Sequence, residues 1–226
     1  MIKKGEAWGD AAAEPTDSQI ARPIEVRGGD ADLANAACEH PGAVVRFVPD
    51  ATSDFARVLG LTGEQTGGTV LVCDAIQVRH GGVAVNAIVF GVAPDRVRWW
   101  HRRRPVMVEV DGRAVGNGRA FAVVVANGQF LRSADVVPRG HPGDGRIEVQ
   151  VYDLDPRDRS RMRQRLGRGT HVPHPQIAQR AGRRVTVRWG RDSHRRGRPW
   201  EIDGHPEGRA GGADLDVVEG ALRLLV

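Results

Sequence analysis

Two glycines and an acid, Gly28-Gly29-Asp30, follow the short apolar run from Ile24 to Val26 and precede a helix-like segment that starts near Leu33. A glycine-rich loop between a strand and a helix is where backbone N–H groups can approach a phosphate. The grammar then repeats: Ala43 to Val48 is apolar, Pro49-Asp50 turns the chain, and Ser53 opens Asp54-Phe55-Ala56-Arg57-Val58-Leu59. Other chemistry-bearing stretches stand apart. His171 and His174 form an H-x-x-H, but Pro173 and Pro175 argue against a helix and no Cys or carboxylate completes a zinc set, so a rigid turn with backbone-bonded histidines is expected. In "RVRWWHRRRP", Trp99 and Trp100 sit among basic residues. Strand alternation there would bury one tryptophan and leave the arginines in water; exposed, the pair would suit an anionic membrane interface or nucleic-acid bases.

The elements that must position these residues fall into two styles. From about residue 20 to 61 the order is strand, turn, helix, strand, turn, helix, an α/β arrangement. Leu33, Ala36, Ala37 and Cys38 are expected to share one side of the first helix; Ser53 is a fair N-cap for the second, and Gly60 a stop. Beyond residue 68 the runs become short, β-rich and glycine-ended, as in "TVLVCDAIQVRHGGVAVNAIVFGV", "PVMVEVDG", "AFAVVVANG" and "RIEVQVYDL". Gly81-Gly82 and Asp111-Gly112 read as hairpin turns, and "DPRDRSRMRQRLGRGT" as the one late helix, solvated and held in part by Asp155 and Asp158. The expected fold is a truncated Rossmann-like α/β lobe over residues 21–67, after a flexible tail over 1–20, followed by a larger antiparallel β-sandwich lobe over 68–226.

The 226 residues suffice for a sizeable core, and no apolar run approaches bilayer length. The opening "MIKKGEAWGDAAAEPTDSQ" lacks the apolar region of a secretory signal, so a cytoplasmic location, peripheral at a membrane if the arginines reach one, is expected. Cys38 and Cys73 lack metal-ligand spacing and read as small buried thiols. The formal charge is +5, and only Lys3 and Lys4 are lysine, so 31 of the 33 basic residues are arginine. Clusters at 102–104, 157–168 and 191–198 would attract lipid headgroups or nucleic acid.

In order along the chain, these motifs resemble the diacylglycerol kinase, sphingosine kinase and NAD kinase superfamily. Gly28-Gly29-Asp30-Ala31-Asp32 resembles its GGDGT loop, and "PDATSDFARVLGL" its PLGTGNDFARxLGL segment. Asp74, Asn86, Gly91, "VVVANG" at 123–128, "VVPRGHPGDGRIEV", "EIDGHP" and the terminal "EGALRLLV" follow in the family's order. The resemblance implies transfer of the ATP γ-phosphoryl group to a lipid hydroxyl with Mg2+, a reaction that rests on positioning and charge neutralisation. Carried over by position, Gly28, Gly29, Asp30 and Thr52 would line the nucleotide. Asp144 would belong to the metal-supporting segment, and Asp203 would be the general base, with His205 beside it.

Departures fall on the same positions. Ala31 and Asp32 replace the last two residues of GGDGT, and Asp32 puts a negative charge where phosphate would lie. Ala51 replaces a glycine, Ser53 an asparagine, Gly143 an aspartate, and His205 the glutamate of DGE. Only 27 residues precede Gly28, without an NPxSG-like motif, so a half-sized α/β lobe is expected. Together these predict a degenerate nucleotide site in a non-catalytic binding or regulatory module, needing no cofactor. The alternatives are an active divergent lipid kinase using Mg2+ and ATP, and an arginine-rich binder of nucleic acid or anionic membrane. A half lobe leaves sheet edge uncovered, so a homodimer is also expected.

Overall fold

A computed structural model of the protein describes residues 22–61, 63, 67–170, 173–190 and 197–226. The tail, His171 and the arginines at 191–196 lie outside the described residues. The chain begins with two βα units: β1 (Ile24–Gly28), α1 (Asp30–Glu39), β2 (Val44–Pro49) and α2 (Asp54–Leu59). β1 and β2 run parallel, with Ile24 opposite Val45 and Gly28 opposite Pro49. Ser53 caps α2 by accepting the Ala56 N–H at 3.0 Å, and Gly60 ends it in a left-handed conformation. Leu33, Ala34 and Ala36 bury the inner face of α1. Cys38 is exposed, contrary to expectation, because five helical residues rotate it by about 140° from Leu33. Cys73 is buried, as expected.

Strands then dominate. β3 (Val70–Val78), β4 (Val83–Ala84), β5 (Ala87–Gly91), β6 (Arg104–Val110), β7 (Arg113–Ala114) and β8 (Arg119–Ala120) come first. β9 (Ala122–Ala126), β10 (Phe130–Leu131), β11 (Ala134–Asp135) and β12 (Ile147–Tyr152) lead to α3 (Pro156–Gly167). β13 (Ile177–Gly182), β14 (Arg184–Trp189), β15 (Arg198–Ile202), β16 (His205–Ala210) and β17 (Gly212–Leu225) complete the chain.

One sheet runs β13-β12-β9-β5-β15-β16, antiparallel throughout. The other runs β1-β2-β17-β14-β6-β7, with β3 also on β17. β17 joins the two styles of structure. Its first half pairs with β14, Leu215 opposite Val185; its end lies parallel to β2, Leu224 opposite Val45, and antiparallel to β3, Leu222 opposite Cys73. A register shift between Val218 and Leu222, with Gly220 at φ 62°, turns the strand from one lobe into the other. The C-terminal strand thus completes the small α/β sheet begun by β1 and β2.

The fold class is therefore the expected one, an α/β lobe with an antiparallel β-sandwich. Ile76, Val108, Val187 and Leu215 meet Ile88, Phe90, Val125 and Val149 between the sandwich sheets. A second core lies on the far side of β9, whose AVVVA is buried throughout, under α3 and the β10–β11 hairpin. The third core, Leu33, Phe47, Phe55, Cys73 and Leu224, belongs to the α/β lobe.

Two expectations are corrected here. α3 is not simply solvated: Arg159, Met162 and Leu166 form a buried face. Trp99 and Trp100 do not alternate on a strand. They stand on a turn between β5 and β6 with 71% and 56% of their surface exposed, because the carbonyls around them are drawn to the Arg159 guanidinium instead of a neighbouring strand.

Candidate functional site

The Gly28-Gly29 loop leaves β1 with Gly28 at φ 136°, a conformation that glycine alone adopts readily. α1 starts immediately after, so the first N–H groups of a helix face the loop, as a phosphate site requires. The loop is already filled. Asp32, third in the helix, turns back so that its Oδ2 accepts the Gly29 N–H at 2.9 Å. A β-carbon placed on Gly28 would collide with that same carboxylate. Across the loop, Thr52 donates both its N–H and its hydroxyl to Asp50 Oδ1, at 2.7 and 2.6 Å. Those bonds hold the Asp50 carboxyl below its ordinary range and consume the Thr52 donors.

Asp30 is placed differently from what a nucleotide contact needs. Its buried carboxylate crosses to the start of α2, where Oδ1 accepts the Ser53 hydroxyl at 2.5 Å and both oxygens accept the Phe55 N–H at 3.1–3.2 Å. Burial pushes Asp30 up to about 7 against the pull of Ser53, with the nearby Asp203 charge adding to the rise.

Asp203 and Gly204, at φ 48° and 80°, form the two-residue turn between β15 and β16. The turn drives the Asp203 carboxylate inward onto the segment entering β5. Oδ1 accepts the N–H groups of Asn86 and Ala87 at 2.9 Å each, and Oδ2 that of Val85 at 2.8 Å. The Asp203 N–H in turn donates to the Ala87 carbonyl at 2.8 Å. Burial raises Asp203 to about 6, opposed by the three N–H donors and by His205. The two buried acids are thus committed to different segments, Asp30 to the start of α2 and Asp203 to the entry of β5, and the Asp203 charge is felt at Asp30. His205 follows the turn but lies exposed on β16.

Asp144 is elsewhere, exposed on the loop before β12, with its Oδ1 accepting the Arg146 N–H at 3.0 Å. The buried acid of that region is Asp74, which accepts the N–H groups of Gly145 at 2.7 Å and Gly220 at 2.9 Å, so it pins the 142–145 loop to the bend in β17. One exposed carboxylate closing a local turn does not fit a magnesium ion. Among the described residues no group of three or more His, Cys, Asp or Glu could hold a metal. His174 Nδ1 accepts the Gln176 N–H at 3.2 Å, the backbone-bonded role expected of it.

Residues 71–226 match the family of the YegS C-terminal NAD kinase beta sandwich-like domain. The chain belongs to this family. It also superposes on solved structures described as diacylglycerol kinases from Bacillus anthracis str. Sterne. One gives a TM-score of 0.73 at 16% identity, covering 89% of this chain and 77% of that one. Another gives 0.68 at 16%, covering 89% and 75%. At that identity they report the fold. Among curated proteins, none matches the chain significantly. The YegS-type sandwich places the chain in the diacylglycerol kinase and NAD kinase superfamily.

Within this YegS-type fold, the residues that sequence reasoning missed are those that tie the lobes together. Asp54, at the start of α2, accepts the N–H groups of Arg132 and Ser133, the latter at 2.8 Å. Arg132 in turn grips Asp95 through Nε and Nη2 at 2.9 and 2.6 Å and Glu201 through Nη1 at 2.7 Å, an arrangement that keeps its guanidinium firmly protonated. Asp54 had a signal, an acid directly after an N-cap serine. Arg132 had none, since its left-handed backbone at φ 49° is not encoded by a glycine.

Proposed function

We propose that this protein is a diacylglycerol-kinase-like module with a blocked nucleotide loop, acting by binding or regulation rather than by phosphoryl transfer. The observation that carries this reading is the Asp32 carboxylate seated on the Gly29 N–H, where a phosphate oxygen would have to sit. Displacing it would leave the carboxylate beside the incoming phosphate, with Asp50 across the loop adding a second negative charge. The remaining family positions support the same reading: Asp30 is committed to α2, Thr52 to Asp50, and Asp144 to its own turn. The residues present do not fit ATP and Mg2+.

Calorimetric titration with ATP and Mg2+ tests this directly. No heat is expected at millimolar nucleotide for the natural sequence, whereas the Ala31→Gly, Asp32→Thr variant, which frees the loop N–H groups but leaves Thr52 and Asp144 as they are, is expected to gain weak, metal-independent binding of the nucleotide phosphates. Micromolar binding by the natural sequence would overturn the reading.

One observation favours a second reading, an active lipid kinase. Asp203, buried and raised to about 6, has the basicity of a general base near neutrality. That reading requires lipid-dependent ATP turnover that Asp203→Asn abolishes while the variant stays folded; the same turnover in both proteins would exclude Asp203 as the base.

A further inference from the structure

The corner formed by residues 97–101 and α3 is built around Arg159. The residue is 2% exposed, and its guanidinium lies 5.0 Å from the centre of the Phe121 ring. Nη1 donates to the carbonyls of Arg98, Trp99 and His101 at 3.0, 3.2 and 2.5 Å, and Nε to that of Leu154 at 3.2 Å. The turn is closed further by the Arg98 N–H, which donates to His101 Nδ1 at 2.8 Å. His101 accepts that bond as a neutral ring, since burial and the arginines around it lower its affinity for a proton.

Four of these bonds hold the turn, yet what it presents is two large exposed indoles. Trp99 and Trp100 meet edge to face with ring centres 5.5 Å apart. They border a concavity of about 280 Å³ whose lining includes Val97, Arg98, Arg159 and Arg163. Arg98 is exposed, and the buried Nε of Arg163 has no hydrogen-bond partner. Arg103, in the same segment, is held by Asp153 and Asp155 and contributes no free charge.

A pair of indoles rimmed by arginine matches the boundary of an anionic bilayer, where the rings sit at headgroup level and guanidinium groups meet lipid phosphates. Single-stranded nucleic acid is the poorer fit. Base-stacking platforms are spread along a charged groove, whereas these rings are packed edge to face on one compact corner. We propose that the Trp99–Trp100 corner docks this protein on an anionic phospholipid bilayer, with Arg98 and Arg163 against lipid phosphates. The proposal does not depend on the state of the nucleotide loop.

The full chain is mixed with vesicles of phosphatidylcholine alone or of phosphatidylcholine with phosphatidylserine, and binding is read by flotation. Binding to the anionic vesicles alone is expected, with at least about a tenfold loss for Trp99→Ser, Trp100→Ser and about a fivefold loss for Arg98→Ala. Both tryptophans are exposed, so circular dichroism should show the double variant folded. Independently of any such variant, brominated lipids should quench tryptophan emission in a Trp8→Phe background. The proposal is overturned by an absence of anionic-vesicle binding, by unchanged binding in the folded double variant, or by an absence of quenching. It is equally overturned if a single-stranded oligonucleotide displaces the vesicles through the same two tryptophans.

Discussion

The Asp30 carboxylate accepts the Ser53 hydroxyl at 2.5 Å, across 23 residues and from the start of one helix to the cap of the next. Ser53 also caps α2, and Phe55 N–H points at the same carboxylate, so one acid fixes the relative placement of both βα units. Asp30, in the loop that resembles GGDGT, is used here as a tie between helices.

Replacing Asp30 with alanine leaves the Phe55 N–H and the Ser53 hydroxyl without their buried acceptor. A loss of about 2–4 kcal/mol is expected from urea unfolding, since each stranded buried group costs roughly 1–3 kcal/mol. A loss below about 0.5 kcal/mol would show that the tie is dispensable.

The pH dependence of that tie has a definite sign. Folded Asp30 keeps its proton up to about 7, while in the unfolded chain it ionises near 3.8, so unfolding releases a proton between those values. Stability from this group is therefore complete below the unfolded value and is lost as pH rises toward 7. Comparison with Asp30→Asn isolates the effect from His101, which titrates with the opposite sign. The natural protein should lose stability relative to the variant by up to about 1.4 kcal/mol per pH unit from about pH 5 to 7. A pH-independent difference would contradict the raised value.

Much of this architecture was legible in the sequence. Ser53 and Gly60 announced the ends of α2 because cap residues act locally, and the run AVVVA announced a β-strand; that both its faces are buried came from the structure, where α3 and the β10–β11 hairpin cover the side away from the sandwich. The glycine loop was legible as a phosphate-site shape, and Asp32 as a charge in the wrong place. What could not be read was the reach of side chains across the fold. That Asp30 turns toward Phe55, that Asp203 points into the segment entering β5, and that Arg159 lies under the Trp99 turn all depend on long-range packing. Trp99 and Trp100 misled for the same reason: strand alternation was the better local pattern, and a distant arginine overrode it.

Asp203 accepts three backbone N–H groups, so Asp203→Ala should cost about 3 kcal/mol or more in urea unfolding. Asp203→Asn should cost less, because an amide oxygen can keep the bonds from Asn86 and Ala87 and asparagine tolerates the left-handed turn. Equal and negligible losses in both variants would show that the carboxylate does not staple the turn to β5.

Removing the carboxylate that fills the glycine loop should expose an anion site at small cost. Asp32→Ala frees the Gly29 N–H, which is exposed and can turn to water, so a stability loss of only about 0.5–2 kcal/mol is expected. In exchange, the helix N-terminus and the loop N–H groups become available to an anion, and one negative charge is gone. Pyrophosphate without metal is the suitable probe, since it reads the loop and makes no demand on Asp144 or Asp203. Calorimetry should detect millimolar or tighter binding by Asp32→Ala and none by the natural protein under the same conditions. Equal binding by both proteins would mean that the carboxylate moves aside without cost. Binding by neither would mean that the loops after β1 and β2 are insufficient to hold two phosphates even without the Asp32 charge.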